Sequence, residues 1–249
     1  MKAMHDPGFL LVAIFLPVFP LSIVFNALFL KLRQPMLRFS LLLGWPMAGV
    51  GLYQALQPEL PEWVLPLALG TAVFYAFRLL AMREVGIWTG YMATSVWACL
   101  WLPLLYGDGD TFLYAVWFSI PLGLLALLVG GMERRYGAAY TELYGGLAQT
   151  VPRFSGVFVV TVLAVVATPL FPGFFGMLHI LIASQPVAAI TLGGIWFMWS
   201  WAGMRLIQGM IVGDRTEGVI RDMSPGLTWG FAALMSLLVI AGFTLTGDL

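Results

Sequence analysis

Apolar stretches of about the twenty residues needed to cross a bilayer follow one another from Phe9 to Thr246, separated by short polar connections. This pattern constrains the fold more than any motif, because a backbone in lipid must satisfy its own hydrogen bonds and so runs as helices or as a closed barrel. The stretches are Phe9–Leu30, Met36–Leu56, Trp63–Met82, Val85–Tyr106, Thr111–Met132, a sixth beginning at Phe154, then Val187–Val212 and Leu227–Thr246. They are far longer than barrel strands, so helices follow. Only 10% of the 249 residues are charged, against about 25% in a soluble domain, which leaves almost no room for a soluble unit. The expectation is an all-α polytopic membrane protein of about eight crossings in a single membrane domain, residues 1–249. Net charge is zero, so nothing points to nucleic acid. The start, Met1 to Pro7, carries one Lys and no small-residue cleavage site, and reads as the approach to a first span rather than a cleaved signal.

The sixth stretch is interrupted. Thr168-Pro-Leu-Phe-Pro-Gly173 places Pro169, Pro172 and Gly173 inside an apolar run, and proline both removes a donor and clashes with the preceding turn. A helix must kink or break there, and Phe174–Ser184 is too short to span and reads as a half helix. Broken helices at membrane depth line ion or substrate paths in transporters; the plainer reading is a kink shaped for packing.

Charge placement tests the count. If the half helix and Val187–Val212 cross together, eleven of the twelve basic residues fall on one side and only Lys2 on the other. The positive-inside rule makes that side cytoplasmic and puts both termini outside, in a membrane of the bacterial inner type. Gln57 to Glu62 and Gly107 to Asp110 are then outer turns; Asp108 and Asp110 read as solvated. Arg78 and Arg205 lie near helix ends, where long basic side chains snorkel to the interface; alternatively they pair with an acid of a neighbouring subunit. In the longest polar connection, Tyr136, Tyr140 and Tyr144, with Glu142, are spaced to share one helical stripe. That is either an interfacial helix at headgroup depth or a docking surface for a cytoplasmic subunit.

Several segments together carry a resemblance: Glu133-Arg-Arg-Tyr-Gly137, Tyr144-Gly-Gly-Leu-Ala148, Pro152, Pro172-Gly-Phe-Phe-Gly176, Met204-Arg-Leu-Ile-Gln-Gly-Met-Ile-Val-Gly213 and Asp222-Met-Ser-Pro-Gly-Leu227. In this order and spacing they resemble the C-terminal half of the antiporter-like membrane subunits. These are found in respiratory complex I, multi-subunit cation/proton antiporters, membrane hydrogenases and dissolved-inorganic-carbon accumulating complexes. The match covers residues 86–245 and leaves 1–85 unassigned. The resemblance implies a row of buried ionisable residues that moves protons or sodium. Its Lys or Glu after the Pro-Gly-Phe turn falls on Met177, and its His and Lys before the helix-end glycine fall on Phe118 and Leu122. All three relay positions are apolar here, and 249 residues is about half the family's usual length.

His179, two positions beyond Met177, is the one ionisable side chain left in the half helix. An intramembrane histidine is a proton-carrying candidate by default; it also serves structurally by bonding a freed carbonyl. Sequence signatures for nucleotides, zinc or haem are absent, and lone Cys99 excludes a cysteine cluster, so no cofactor, metal or catalytic residue is expected. The tryptophans at 88, 97, 101, 117, 196, 199 and 201 read as packing, with a quinone or lipid site as the other reading. The resemblance implies an accessory subunit beside a full-length antiporter-like partner, possessing no chemistry of its own but part of a translocating, oxidoreductase-like or carbon-uptake complex. The rivals are an autonomous transporter using His179 and an assembly factor.

Overall fold

The structure is a computed structural model and describes residues 7–107, 109–141, 146–213 and 221–244. Within them the chain is helical, and its only strand-like feature is an isolated antiparallel bridge between Glu84 and Tyr140. The helices are α1 (Pro7–Phe15), α2 (Ser22–Lys31), α3 (Pro35–Leu56), α4 (Val64–Leu79), α5 (Val85–Cys99), α6 (Trp101–Tyr106), α7 (Thr111–Tyr136), α8 (Leu147–Thr150), α9 (Pro152–Val165), α10 (Pro172–Ala183), α11 (Pro186–Ile211) and α12 (Pro225–Thr244). Many prolines do not spoil this bundle because they start helices. Pro7, Pro35, Pro152, Pro172, Pro186 and Pro225 each occupy the first helical position, where the missing N–H has no partner to lose.

α3, α7, α11 and α12 are each long and apolar enough to cross a membrane alone. α9 and α10 are not: 14 and 12 residues give about 21 and 18 Å. Only residues 166–171 separate them, and α11, whose 26 residues span about 39 Å, is long enough to cross without the half helix with which the sequence reading grouped it. The first expected span is also corrected. Phe9–Leu30 is not continuous; α1 ends at Phe15 and α2 begins at Ser22, with Pro17 and Pro20 between them. The span Val85–Tyr106 divides as well, into α5 and α6 at Leu100, just ahead of Pro103.

α5 and α7 form the centre. Every described residue of α5 except Ile87 and Tyr91 is buried, whereas α3, α11 and α12 keep wide apolar faces exposed, as lipid-facing helices do. Apolar burial does not drive helices together in lipid, so close packing and interhelical hydrogen bonds carry the association. Close packing is visible where α3 crosses α7: a methyl group on Gly130 would collide with the Pro35 ring, and one on Gly123 would lie 2.7 Å from Phe39 Cδ2. The bonds run through α5: Ser95 Oγ donates to Ala72 O at 2.8 Å and accepts from Trp199 Nε1 at 2.9 Å, joining α4, α5 and α11. Trp97 Nε1 donates to Ser119 Oγ at 3.2 Å, joining α5 to α7.

All ten described basic residues gather at one end of the bundle, along the α2–α3, α4–α5, α7–α9 and α11–α12 connections. Arg38 sits in the first turn of α3 and is 7% exposed. Its Nη1 donates to Glu133 Oε1 at 2.9 Å and Oε2 at 3.1 Å, its Nε donates to Leu32 O at 2.7 Å, and its guanidinium lies over the Phe29 ring. The opposite end carries Glu59, Glu62 and Asp110 and, among the described residues, no base.

Candidate functional site

The interrupted crossing between α9 and α10 is where the sequence placed the chemistry. The helix ends because Ala167 and Leu170 take positive φ values of 55° and 102°, a conformation that side chains other than glycine rarely adopt. The freed backbone is then satisfied piece by piece. Thr168 sends both its amide and its hydroxyl to Leu163 O, at 3.1 and 2.9 Å. Trp196 on α11 donates its indole N–H between Val166 O and Ala167 O, at 3.3 and 3.1 Å. α12 covers the break from outside: a methyl on Gly242 would lie 2.9 Å from Leu170 O and 3.2 Å from Pro172 N.

The N-terminal turn of α10 rests on α7. Methyl groups on Gly173 and Gly176 would contact Phe118 and Tyr114, so the fold brings Phe118 to the Pro172-Gly173 turn. Phe118 is 4% exposed; Met177 and Leu122 are fully buried. None of the three can hold a proton or a charge. Between the basic and acidic ends, no described helix contains an Asp, Glu, Lys or Arg.

His179 is half-buried, and its Nδ1 lies 3.3 Å from the hydroxyl of Tyr114, on the first turn of α7. It stands seven residues past Pro172 and four before Ala183, so it is about 10 Å beyond the break and about 6 Å from the end of α10. That places it toward the acidic end rather than at the break. Its partner is a side chain of the neighbouring helix, and not a carbonyl freed by the interruption.

The α1–α2 interruption was missed, although its Pro17-Val-Phe-Pro20 repeats the spacing of Pro169-Leu-Phe-Pro172. Its orphan carbonyls are also capped by indoles: Trp45 Nε1 donates to Ile14 O at 3.1 Å and Trp101 Nε1 to Leu16 O at 3.0 Å. Phe19 N donates to Thr71 Oγ1. Beyond this break, a buried polar cluster pins α2 to α4 and α5. Ser22 Oγ and Tyr75 OH are 3.0 Å apart, and Asn26 Nδ2 donates to Ser22 O and to Thr94 Oγ1, both at 2.9 Å. The cluster is neutral and its bonds are internally satisfied. It holds a half helix in place without supplying a charge.

At the basic end, Arg78 is exposed, bonds Tyr91 OH at 3.2 Å and lies over the Tyr91 and Phe74 rings. Arg205 caps α4, donating to Leu80 O at 2.8 Å, and borders a cavity of about 470 Å³ with Arg83 and Thr141. The tyrosine stripe is not formed: α7 ends at Tyr136, Gly137 turns the chain with φ 78°, and Tyr140 pairs in extended conformation with Glu84. Tyr140 OH donates to Glu84 Oε2, and that bond and the carboxylate's charge hold the phenol above its ordinary pKa. Glu142 and Tyr144 lie outside the described residues, as do His5 and Asp108. Among the described residues no group of His, Cys, Asp and Glu could hold a metal.

Comparison with known proteins agrees with this architecture. Residues 106–201 match the family described as the transmembrane region of NADH:quinone oxidoreductase and Mrp antiporter subunits. The fold is similar to that of a chain in respiratory complex I from Thermus thermophilus, with TM-score 0.74 and 21% identity over 95% of this chain and 54% of that one. It is similar to a chain of the Mrp complex from Dietzia sp. DQ12-45-1b, with TM-score 0.76 and 18% identity over 84% of this chain and 42% of that one. A chain of the membrane-bound sulfane sulfur reductase, an archaeal respiratory membrane complex, gives TM-score 0.80 and 16% identity over 95% and 52%. The chain is therefore antiporter-like in fold and, over residues 106–201, in sequence. It spans about half the length of the chains it matches.

Proposed function

We propose that this chain is an accessory membrane subunit of a proton- or sodium-coupled complex, and that it scaffolds or extends a membrane arm beside a full-length antiporter-like subunit. One observation carries the reading. The interrupted helix of the family is present, with its turn against α7, yet Met177, Phe118 and Leu122 occupy the relay positions and are buried among apolar groups. Ion transfer needs groups that exchange charge at membrane depth; between the two charged ends the described helices carry His179 and no Asp, Glu, Lys or Arg. The architecture is kept and the relay is not, which suits a part that shapes a complex and leaves ion transfer to its neighbour. The exposed faces of α11 and α12 supply surface for that neighbour, and the basic end supplies it for a cytoplasmic subunit. In this reading the protein lies in a cytoplasmic membrane of bacterial type with both termini outside. The host is an oxidoreductase or antiporter assembly, or an inorganic-carbon accumulating complex.

Affinity purification in mild detergent, with identification of co-purifying chains, tests the proposal and names the host. The expected result is an antiporter-like chain that carries a charged relay. The reading fails if the purified single chain in liposomes drives ion-dependent transport. A second reading, an autonomous transporter using His179, is favoured by the Tyr114–His179 contact alone, and that same liposome result would support it.

A further inference from the structure

A crevice of about 390 Å³ opens at the basic end between α3, α7, α9 and α12. It is lined by apolar side chains, Leu128, Leu227 and Phe231 among them, together with the exposed Arg134 and Arg135. From Leu127 to Arg135 the wall follows α7 for eight residues, or about 12 Å along the helix axis. Charge thus sits at the basic end of the bundle, with apolar surface next to it toward the bundle centre. A methyl group on Gly131 would meet no atom within 4 Å, so the crevice is open at its wall.

We infer that this crevice binds an anionic phospholipid, with the phosphate at Arg134 and Arg135 and an acyl chain over Leu128, Leu227 and Phe231. Both arginines are exposed, and Arg135 Nη1 is steadied by Arg221 O at 3.3 Å. Guanidinium groups match phosphate oxygens in charge and in planar geometry. None of the described residues lining the crevice is acidic. Two nearby carboxylates are engaged elsewhere: Glu133 accepts from Arg38, and Asp222 accepts from the amides of Arg153, Phe154 and Met223 at the start of α9. The local field therefore favours an anion. Basic pockets between membrane helices on the side that faces anionic lipid bind such headgroups. A bound lipid would bridge α3 to α12 across α7. The inference does not depend on the accessory role.

The test is native mass spectrometry of the full-length chain in detergent, titrated with phosphatidylglycerol and, separately, with phosphatidylcholine of the same acyl chains. Wild type should hold phosphatidylglycerol more tightly. R134Q/R135Q should weaken it by roughly 25-fold, at about fivefold per arginine lost near a membrane surface, and leave phosphatidylcholine unchanged. R78Q/R83Q removes the same charge from α4 and the connection after it and should change the affinity by no more than about twofold. Gly131→Leu fills the crevice without touching charge and should weaken both lipids. Equal affinity of wild type for the two lipids would overturn the inference. So would an R134Q/R135Q affinity within about twofold of wild type, or equal losses in the two double variants. Crosslinks from position 134 to a protein chain in the intact complex, with no retained lipid, would assign the crevice to a partner instead.

Discussion

A histidine that carries protons and one that holds two helices together make different demands on the same hydrogen bond. His179 Nδ1 and Tyr114 OH lie 3.3 Å apart between α10 and α7, and the nearest positions of the family relay, Met177 and Phe118, are apolar. Between the basic and acidic ends, the described helices give a proton at His179 no Asp, Glu, Lys or Arg to pass to. The contact is therefore expected to be structural. His179→Gln keeps an amide that bonds the phenol and should leave assembly and activity of the complex intact. His179→Ala should lower stability by about 1–3 kcal/mol by removing the imidazole's hydrogen bond and packing between α10 and α7, read as detergent-solubilised melting temperature. An assembled but inactive His179→Gln complex would reverse this assignment. Arg38 is the residue whose weight was hidden in the sequence, where it stood as one more basic residue on the basic side. Its pair with Glu133 has side-chain exposures of 8% and 27%. Removing one partner leaves the other partly buried and unmatched, so Arg38→Ala should cost about 3 kcal/mol. The double variant Arg38→Met, Glu133→Leu should recover most of it, which a double-mutant cycle on thermal unfolding would show.

Elements explain how a chain can break two membrane helices and remain folded. Each interruption frees carbonyls in a region without bulk water, and each is answered by an indole from another helix: Trp45 and Trp101 at the first, Trp196 at the second. Trp196→Phe keeps the ring and removes the donor, and should destabilise by about 1–3 kcal/mol. Gly242→Ala should act at the same place by a different route, because its methyl would meet Leu170 O and Pro172 N, which are backbone atoms and cannot swing aside. Over-packing there should cost about 1–3 kcal/mol and shift α12 away from the break, seen as faster proteolysis near Pro225. The second break was legible because Pro169, Pro172 and Gly173 fall in a stretch that already looked divided. The first was not, because Pro17 and Pro20 are embedded in a run whose length alone satisfied a single span. Hydropathy counts apolar residues and is blind to backbone donors. The tryptophan partners were beyond reach for another reason: which carbonyl an indole meets depends on helix packing across a separation of 29 to 85 residues. The tyrosine stripe failed locally, since a spacing of four implies one face only if the helix continues, and Gly137 ends it.

At the scale of the molecule the charges are sorted before any partner is considered. Arg38 links the α2–α3 connection to Glu133, Arg205 reaches the end of α4, Arg135 reaches the carbonyl of Arg221, and Asp222 caps the start of α9, so four separate connections form one polar end. Glu59, Glu62 and Asp110 mark the other end. This much was readable from the alternation of basic and acidic connections, and it survived the errors about where individual helices break. The sorting bears on orientation, because basic connections resist translocation while acidic ones contribute little. An inverted chain would have to carry Arg83, Arg134, Arg135 and Arg153 across the bilayer. The expected arrangement puts the basic end in the cytoplasm. Cys99 is 1% exposed and sits in the core, so it gives little background to single-cysteine labelling with an impermeant maleimide. Cysteines at Glu59 and Gly109 should react from outside intact cells, whereas cysteines at Arg83 and Gly137 should react only after the membrane is opened. Labelling of Gly109 and Gly137 from the same side would break the alternation of spans itself. Reaction of Arg83 but not Glu59 in intact cells would keep the fold and reverse its orientation, placing the crevice lined by Arg134 and Arg135 on the outer leaflet.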